Sequence, residues 1–319
     1  MLYRRFGQVA FDASVIGFGA ASISGDGGGY SFGQITDDAS VELVHTSQDL
    51  GINVFDTAPI YGFGQSEQRL GSALRGSRRD KAFIASKCGI TWDQQRRVRI
   101  DNSASTTRNM LEQSLRRLDT DWLDLYLVHW PDPEVDIRET YEVLVRAKEE
   151  GKVRAIGLSN TNQAELTLAQ EVGPVEICQG QDSFFESWNR RTLFKGFQDE
   201  NVGFMAWGTL EKGILTGRVT PTREYDSDDV RSHAPWWTET DHSKHFRVMK
   251  RVQILLEDNG HTGLDLALSH VLRADAVSTA LCGARTPEQV RGLVAALNHP
   301  LSDDLVRECD AVRSEIMDS

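Results

Sequence analysis

Short apolar runs alternate with amphipathic segments along almost the whole chain of 319 residues. Eight of these runs have the length and continuity of strands that are buried on both faces of a parallel sheet. The predicted strands are residues 15–19, 53–56, 82–87, 123–129, 153–158, 175–179, 202–207 and 277–283. This alternation indicates repeated units of one strand followed by one helix.

The segments between the strands carry apolar residues at helical spacing. The predicted helices are residues 38–50, 66–74, 103–118, 137–150, 163–171, 189–201, 246–259 and 287–296, with one more at 264–273. Eight strands joined by helical crossovers favour a closed parallel barrel over an open doubly wound sheet. We therefore predict an α/β fold, a parallel (β/α)8 TIM barrel, as a single domain spanning residues 1–319.

Both ends of the chain carry segments outside this repeat. Residues 2–11 alternate around a glycine, which predicts an N-terminal hairpin placed over the bottom of the barrel. Residues 302–316 are amphipathic at helical spacing, which predicts an extra C-terminal helix.

Composition narrows the possible partners. The net charge of −12 argues against a basic face for nucleic acid or anionic lipid, and no apolar run approaches the roughly 20 residues of a membrane span. Residues 1–12 lack the apolar core of a signal peptide, and the four cysteines show no CxxC spacing. We expect a cytoplasmic protein with reduced thiols that binds neither nucleic acid nor membranes, while the oligomeric state stays open.

Polar side chains stand at the ends of five successive predicted strands. A lone polar group at a strand end often only satisfies loop backbone. Because the carboxyl ends of barrel strands meet at one face, several such groups in succession indicate a site. They are Asp56, Lys87, His129, Ser159, Asn160 and Gln179.

Four residues form a chemically coherent set for carbonyl reduction. A tyrosine with an ordinary pKa of about 10 is a weak proton donor, and a neighbouring ammonium lowers that pKa. Lys87 is placed to act in this way on Tyr61, and Asp56 to hold Lys87 protonated. His129, kept neutral by its apolar strand, is expected to donate a hydrogen bond to the carbonyl oxygen as negative charge develops on it.

The chain resembles a known family in its motifs, which run in order from about residue 15 to 297. They are GINVFDTAPIYGFGQSE, FIASK, LDLYLVHWPDP, GKVRAIGLSN, GTLEKGILTGR and CGARTPEQV. In this combination the chain is similar to the aldo-keto reductases, closest to their bacterial inositol-cluster-like branch. The resemblance implies a catalytic tetrad, with Tyr61 as the general acid, made of Asp56, Tyr61, Lys87 and His129.

The resemblance also implies a nicotinamide cofactor, since no side chain donates hydride. Ser159, Asn160 and Gln179 match residues that hold the nicotinamide carboxamide, and Trp207 takes the place of an aromatic that stacks on its ring. The remaining predicted cofactor-binding residues are Gly208, Leu210, Lys212, Gly213, Gly283, Arg285 and Gln289. Small residues after the seventh strand let backbone N–H groups approach a pyrophosphate.

Cofactor choice is predicted from Arg285, which stands just before a helix and suits an adenosine phosphate. NADPH is therefore favoured, with NADH possible; pairing of Arg285 with a surface carboxylate is the alternative. The chain departs from the family where relatives place Glu and Asn against the adenine, because Gly292 and Leu293 stand there. The adenine contacts stay open for that reason.

The substrate side is less determined. Trp130, Trp92 and Trp236 lie in or beside predicted loops, where they form either a substrate wall or hydrophobic cover for the rim. No metal is predicted, because His242 and His245 have no further obvious ligands. The predicted function is hydride transfer between NAD(P)(H) and an aldehyde or ketone, or a sugar or alcohol in reverse. The alternative is a regulatory homologue that binds cofactor with little turnover.

Overall fold

The computed structural model describes residues 1–25 and 29–318 of the chain. The strands in that part are Tyr3–Phe6 (β1), Val9–Ser14 (β2), Ile16–Gly19 (β3), Val54–Asp56 (β4), Phe83–Cys88 (β5), Ile90–Trp92 (β6), Val98–Ile100 (β7), Leu123–Val128 (β8), Val153–Ser159 (β9), Ile177–Gln181 (β10), Gly203–Trp207 (β11) and Val277–Cys282 (β12).

The α-helices in the same residues alternate with these strands. They are Asp37–Asp49 (α1), Gln65–Ala73 (α2), Ala104–Leu118 (α3), Ile137–Glu149 (α4), Gln163–Gln170 (α5), Trp188–Thr192 (α6), Phe194–Glu200 (α7), Pro235–Thr238 (α8), Ser243–Asp258 (α9), Gly263–Leu272 (α10), Pro287–Ala296 (α11) and Asp303–Met317 (α12).

Eight parallel strands close into a barrel in the order β3, β4, β5, β8, β9, β10, β11 and β12. The last strand returns to the first, since Ala280 of β12 pairs with Ile16 of β3. The predicted parallel (β/α)8 barrel is confirmed. In this arrangement every strand carries its carboxyl end to the same face of the barrel.

The register of the strands places the first two candidate site residues together. Asp56 pairs with Ala85 across β4 and β5, and Lys87 lies two residues beyond Ala85. Because side chains alternate along a strand, Lys87 projects from the same face of β5 as Ala85. Asp56 and Lys87 therefore meet inside the barrel near its carboxyl face.

The two appended segments are also present as predicted. β1 and β2 form an antiparallel hairpin, whose Phe6 and Phe11 rings lie 5.1 and 4.8 Å from the ring of Phe83 in the barrel interior. α12 packs on α9 through a separate apolar cluster that includes Leu305 and Val252. The hairpin closes the amino face, so the carboxyl face is the open one.

Two predicted segments differ from the structure. The single helix expected at 189–201 is two helices, α6 and α7, which meet at Leu193. Leu193 and Phe194 are both buried in the core at this break. The β6–β7 hairpin is the second difference, because no strand was predicted there. Ile90 pairs with Ile100 in it, and the charged side chains between the two strands conceal the alternation.

All four cysteines are buried and unbridged. None of the helices in residues 1–25 and 29–318 is long and apolar enough to cross a membrane.

Candidate active site

A cavity of about 940 Å³ opens at the carboxyl face of the barrel. It brings together most of the residues that the sequence predicts for the site. Those that line it are Asp56, Tyr61, His129, Trp130, Asn160, Gln179, Trp207, Gly208, Leu210, Lys212, Gly213, Trp236, Gly283, Arg285 and Gln289.

Asp56 and Lys87 form a buried ion pair under this cavity. The Lys87 ammonium donates to both carboxylate oxygens of Asp56 at 2.8 Å and to the carbonyl of Thr57 at 2.9 Å. All three of its donors are thereby used, which offsets much of the cost of burying the charge. Burial lowers the pKa of Lys87 below its ordinary value, and Asp56 opposes that shift.

Gln179 extends this polar group across the barrel. Its Nε2 donates to Asp56 Oδ1 at 2.7 Å, and its Oε1 accepts from Ser159 Oγ at 3.4 Å. Ser159 is fully buried beneath Gln179 and does not itself line the cavity. The carboxamide that the sequence assigns to cofactor binding therefore also orients Asp56.

A tight loop after β4 holds Tyr61. Gly62, Phe63 and Gly64 follow it with φ values of 62°, 52° and 98°, all in the left-handed region. A Cβ on Gly62 would lie 2.5 Å from the carbonyl oxygen of Ser24, so the turn requires glycine there. This geometry turns the chain sharply from the loop that carries Tyr61 into α2.

The rings of the candidate acid and its partner meet edge to face. The Tyr61 and His129 rings lie 5.9 Å apart at 88°, and the Lys87 ammonium is 5.2 Å from the centroid of the Tyr61 ring. Both rings line the same cavity. A substrate oxygen held between them can reach both side chains.

The pKa of Tyr61 differs from the sequence-based expectation. Burial, the Asp56 carboxylate and Tyr30 raise the pKa of Tyr61 well above its ordinary value. The predicted net lowering of this pKa was wrong, because burial disfavours the phenolate and the Asp56 carboxylate opposes the stabilising effect of the Lys87 ammonium. The Tyr61 hydroxyl therefore keeps its proton at neutral pH.

His129 is neutral, as the apolar strand around it predicts. Burial, and then the charge of Lys87, lower the pKa of His129 well below its ordinary value. A neutral imidazole carries one N–H donor, so the ring can donate a hydrogen bond without bringing a second cation beside Lys87.

Asn160 and Trp207 form the next part of the cavity wall. Asn160 has φ of 54°, and its Nδ2 donates to the backbone carbonyl of His129 at 3.0 Å. The indole Nε1 of Trp207 donates to Asn160 Oδ1, also at 3.0 Å. Each of these side chains fixes the orientation of the next.

The loop after β11 has a strained backbone. Glu211, Lys212 and Gly213 have φ of 47°, 52° and 101°, and the first two are unfavourable for residues with a Cβ. The Glu211 carboxylate is held by Ser183 Oγ at 2.7 Å and Lys212 Nζ at 2.6 Å. Such strain concentrates at ligand sites, and it falls at the predicted pyrophosphate loop.

Part of the cavity is rich in basic side chains, although the net charge of the chain is −12. This part, the cofactor arm, is lined by Lys212, Arg218, Arg223, Arg231 and Arg285. Besides the predicted Lys212 and Arg285, three arginines that the sequence reasoning missed line it: Arg218, Arg223 and Arg231. The basic residues of LTGRVTPTREY, directly after the glycine-rich stretch, were the available signal. Lys212 and Arg231 are paired with Glu211 and Asp229. The basic side chains around the cavity suit a ligand with several phosphates.

Arg285 lines this arm and also binds backbone. Its guanidinium donates to the carbonyls of Phe32, Gly33 and Gln34, in the loop after β3. Burial lowers the pKa of Arg285 below its ordinary value. In the glycine-rich segment SGDGGGYSFG at 24–33, residues 26–28 lie outside the described residues.

The three candidate substrate tryptophans separate in the structure. Trp130, which is 40% exposed, and Trp236 both line the cavity. Trp92 does not line it, because it lies on β6 and packs edge to face on Phe63 at 5.2 Å. Two aromatic residues that were not predicted, Tyr30 and Phe32, also line the cavity, and Tyr30 stacks on Trp236 at 6.4 Å and 11°.

The residues present fit a nicotinamide dinucleotide. The cationic arm and the strained glycine loop suit phosphates, while Asn160, Gln179 and Trp207 offer amide groups and an aromatic face beside Tyr61. In the described residues no group of three or more His, Cys, Asp or Glu side chains is arranged to hold a metal ion.

Comparison with known proteins agrees with this geometry. Residues 15–314 match the Aldo/keto reductase family. The chain is 33% identical over 295 residues to aldo-keto reductase YhdN of Bacillus subtilis (strain 168), covering 92% of this chain and 88% of that protein. It is 32% identical over 310 residues to the NADH-specific methylglyoxal reductase of Escherichia coli (strain K12), covering 93% and 94%.

A solved structure gives the same result. The glycerol dehydrogenase AKR11B4 from Gluconobacter oxydans superposes with a TM-score of 0.86 at 30% identity, covering 99% of this chain and 96% of that one. The chain belongs to the aldo/keto reductase family, as its motifs predict.

Proposed function

We propose that this oxidoreductase uses NADPH to reduce a small aldehyde or ketone, with Tyr61 as the general acid. The observation that carries the proposal is the meeting of two neutral proton donors, Tyr61 and His129, 5.9 Å apart in one cavity above the Asp56–Lys87 pair. Hydrogen-bond donors aimed at a developing alkoxide are the main requirement of carbonyl reduction that a protein supplies.

The proposed role of each site residue follows from its charge and its neighbours. When bound, the nicotinamide supplies or accepts the hydride. The Tyr61 hydroxyl gives its proton to the carbonyl oxygen, and the Lys87 ammonium over its ring stabilises the resulting phenolate. His129 holds the same oxygen by a hydrogen bond and orients it. Asp56 keeps Lys87 in place at 2.8 Å.

A preference for NADPH is supported by the guanidinium groups of the cofactor arm. Arg285, Arg218 and Arg223 line it together, and guanidinium groups bind phosphate bidentately. Gly292 and Leu293 also line the cavity, beside Glu288 and Gln289, so the adenine is proposed to rest in part on an apolar surface. Because the Escherichia coli relative is named NADH-specific, this preference needs its own measurement.

The substrate is proposed to be a small carbonyl compound, or a sugar or alcohol in the oxidative direction. The walls beside Tyr61 are aromatic, formed by Trp130, Trp236 and Tyr30. Flat rings give apolar cover to a small polar substrate while leaving its oxygen to the polar groups beneath. The relatives named for methylglyoxal and glycerol act on molecules of this size.

The test is a panel of aldehydes, ketones, sugars and alcohols, assayed with both cofactors in both directions. Substrate-dependent oxidation of NADPH, lost in Tyr61→Phe, is the expected result. Tight cofactor binding without turnover on any member of the panel would instead support the regulatory alternative.

A further inference from the structure

Glu67 is a fully buried carboxylate that the proposed mechanism does not use. It lies in the first turn of α2, six residues after Tyr61 in the GQSE part of the motif. Its Oε1 accepts from Ser86 Oγ at 2.6 Å, and its Oε2 accepts from Arg117 Nε, also at 2.6 Å. A charge buried this completely is costly unless the pairing is close, and both bonds are short.

The position of Glu67 relative to Lys87 follows from the strand between them. Ser86 directly precedes Lys87 on β5, and successive side chains of a strand point to opposite faces. Lys87 faces the barrel interior and Asp56, while Ser86 faces α2 and Glu67. The ammonium thus has a carboxylate on each side of β5, and the charge of Glu67 acts to raise the pKa of Lys87.

The same turn of α2 also holds the end of β4. Ser66 shares a hydrogen bond of 2.9 Å with Thr57 and donates to the carbonyl of Ala20 at 2.7 Å. Thr57 is the residue whose carbonyl accepts from Lys87. One helical turn therefore contacts both strands that carry the ion pair.

Arg117 is held against this turn by the catalytic loop. A Cβ on Gly64 would lie 2.7 Å from Cδ of Arg117, so glycine at the end of the Tyr61 loop leaves room for the arginine to reach Glu67. With φ of 98°, the position also favours glycine on conformational grounds. The contact joins α3, α2 and the catalytic loop in one arrangement.

We propose that Glu67, held by Arg117, is a positioning residue whose negative charge keeps the Lys87 ammonium protonated under the active site. This inference rests on the proposed roles of Tyr61 and Lys87. The residue acts through Lys87 and touches neither substrate nor cofactor.

Removing the charge of Glu67 should shift the pH profile in one direction. Glu67→Gln retains an oxygen that accepts from Ser86 but removes the charge, so the pKa of Lys87 falls further. Carbonyl reduction requires Lys87 to be protonated. In Glu67→Gln the decline of kcat/KM at alkaline pH (the alkaline limb) should therefore move to lower pH, by about half a unit to one unit. A clamp that acts only by packing would lower the melting temperature and leave the limb unchanged.

The experiment measures kcat/KM against pH, together with thermal unfolding, for the parent, Glu67→Gln and Asp124→Asn. Asp124 is a matched control, because it is a buried carboxylate bound to Arg79 at 2.8 Å and Arg154 at 3.0 Å, but at the start of β8. We expect Asp124→Asn to be less stable than the parent but to keep the parent's alkaline limb. Glu67→Gln should lose stability and shift the limb.

A second variant covers the case in which Glu67→Gln fails to fold. Glu67→Gln with Arg117→Met leaves no unpaired charge at this place and should fold. Its limb should still move to lower pH, but by less than the shift expected of Glu67→Gln, because the cation that opposed the Glu67 charge is also gone. An unshifted limb in either folded variant overturns the inference. If Tyr61→Phe and Lys87→Met turn over normally, the proposed function fails instead; inactive Tyr61 and Lys87 variants with an unshifted Glu67→Gln profile refute only the role of Glu67.

Discussion

The ammonium of Lys87 lies over the ring of Tyr61, 5.2 Å from its centroid, while all three of its protons are donated to Asp56 and Thr57. The cation is thus close enough to stabilise a phenolate but is already compensated in the resting protein. Burial, followed by the Asp56 carboxylate and Tyr30, therefore raises the pKa of Tyr61 despite the neighbouring ammonium. The Tyr61 hydroxyl is protonated, and the Lys87 ammonium that can stabilise a Tyr61 phenolate is already in place.

Tyr61→Phe should abolish most of the turnover. Loss of the general acid is expected to reduce kcat by about a hundredfold or more, while cofactor affinity stays within a few-fold of the parent. Steady-state kinetics and cofactor titration by tryptophan fluorescence measure the two quantities. Tyr141→Phe is the control, since it removes a hydroxyl that binds the carbonyl of Pro174 outside the cavity. Near-normal turnover in Tyr61→Phe would refute the assignment.

Lys87→Met should be both inactive and unstable. The substitution leaves the Asp56 carboxylate buried without its partner, which costs about 3–5 kcal/mol of the free energy of unfolding. Chemical denaturation measures this loss. In Lys87→Met with Asp56→Asn the uncompensated charge is gone, so part of the stability should return while turnover does not. Recovered turnover in the double variant would contradict the proposed role of Lys87.

His129 should influence both turnover and the pH dependence of stability. Its folded-state pKa is lowered, so the unfolded chain binds the proton more readily. The stability from the neutral ring is thus present above the ordinary histidine pKa of about 6.5 and is lost as pH falls below it. The free energy of unfolding of His129→Gln should accordingly fall less than that of the parent between about pH 6.5 and 5.

The turnover of His129→Ala separates a catalytic from a structural histidine. We expect strongly reduced kcat with near-parent cofactor affinity and an intact thermal transition. An unstable protein whose folded fraction turns over normally would identify His129 as a core residue, leaving the chemistry to Tyr61 and Lys87.

Arg285→Ala tests cofactor choice. If the guanidinium binds the adenosine phosphate, NADPH should weaken by roughly 1.5 to 3 kcal/mol while NADH changes little. The structure adds a second role, because Arg285 also holds the carbonyls of Phe32 and Gly33. Isothermal titration with both cofactors separates the two. Equal losses would show that Arg285 supports the loop after β3 without reading the phosphate.

The barrel and the positions of the candidate catalytic residues could be predicted from local pattern. Asp56, Lys87 and His129 each stand where an apolar run changes to polar residues, and in a parallel barrel every such place lies on one face. No long-range information is needed to bring them together once the strand order is known. The hairpin β6–β7 escaped prediction because its arginines obscured a two-residue period.

Other features depended on contacts between distant parts of the chain. The raised pKa of Tyr61 results from burial and from two neighbours on different segments, Asp56 and Tyr30. Trp92 lies outside the cavity because its strand pairing places its ring against Phe63. Arg285 donates to the carbonyl of Gly33, about 250 residues away in the sequence. The pKa of Tyr61 and the contacts of Trp92 and Arg285 depend on which distant residues lie nearby and on how far water is excluded. A local sequence pattern contains neither kind of information.

By itself, the sequence determined the fold, the family and the residue types available for chemistry, because periodicity and strand-end polarity are local properties. Only the tertiary structure decided the protonation state of Tyr61, the second carboxylate behind Lys87 at Glu67 and the cationic arm around Arg218 and Arg223. These depend on how closely charges from separate strands and helices approach and how far water is excluded between them, which chain folding alone establishes.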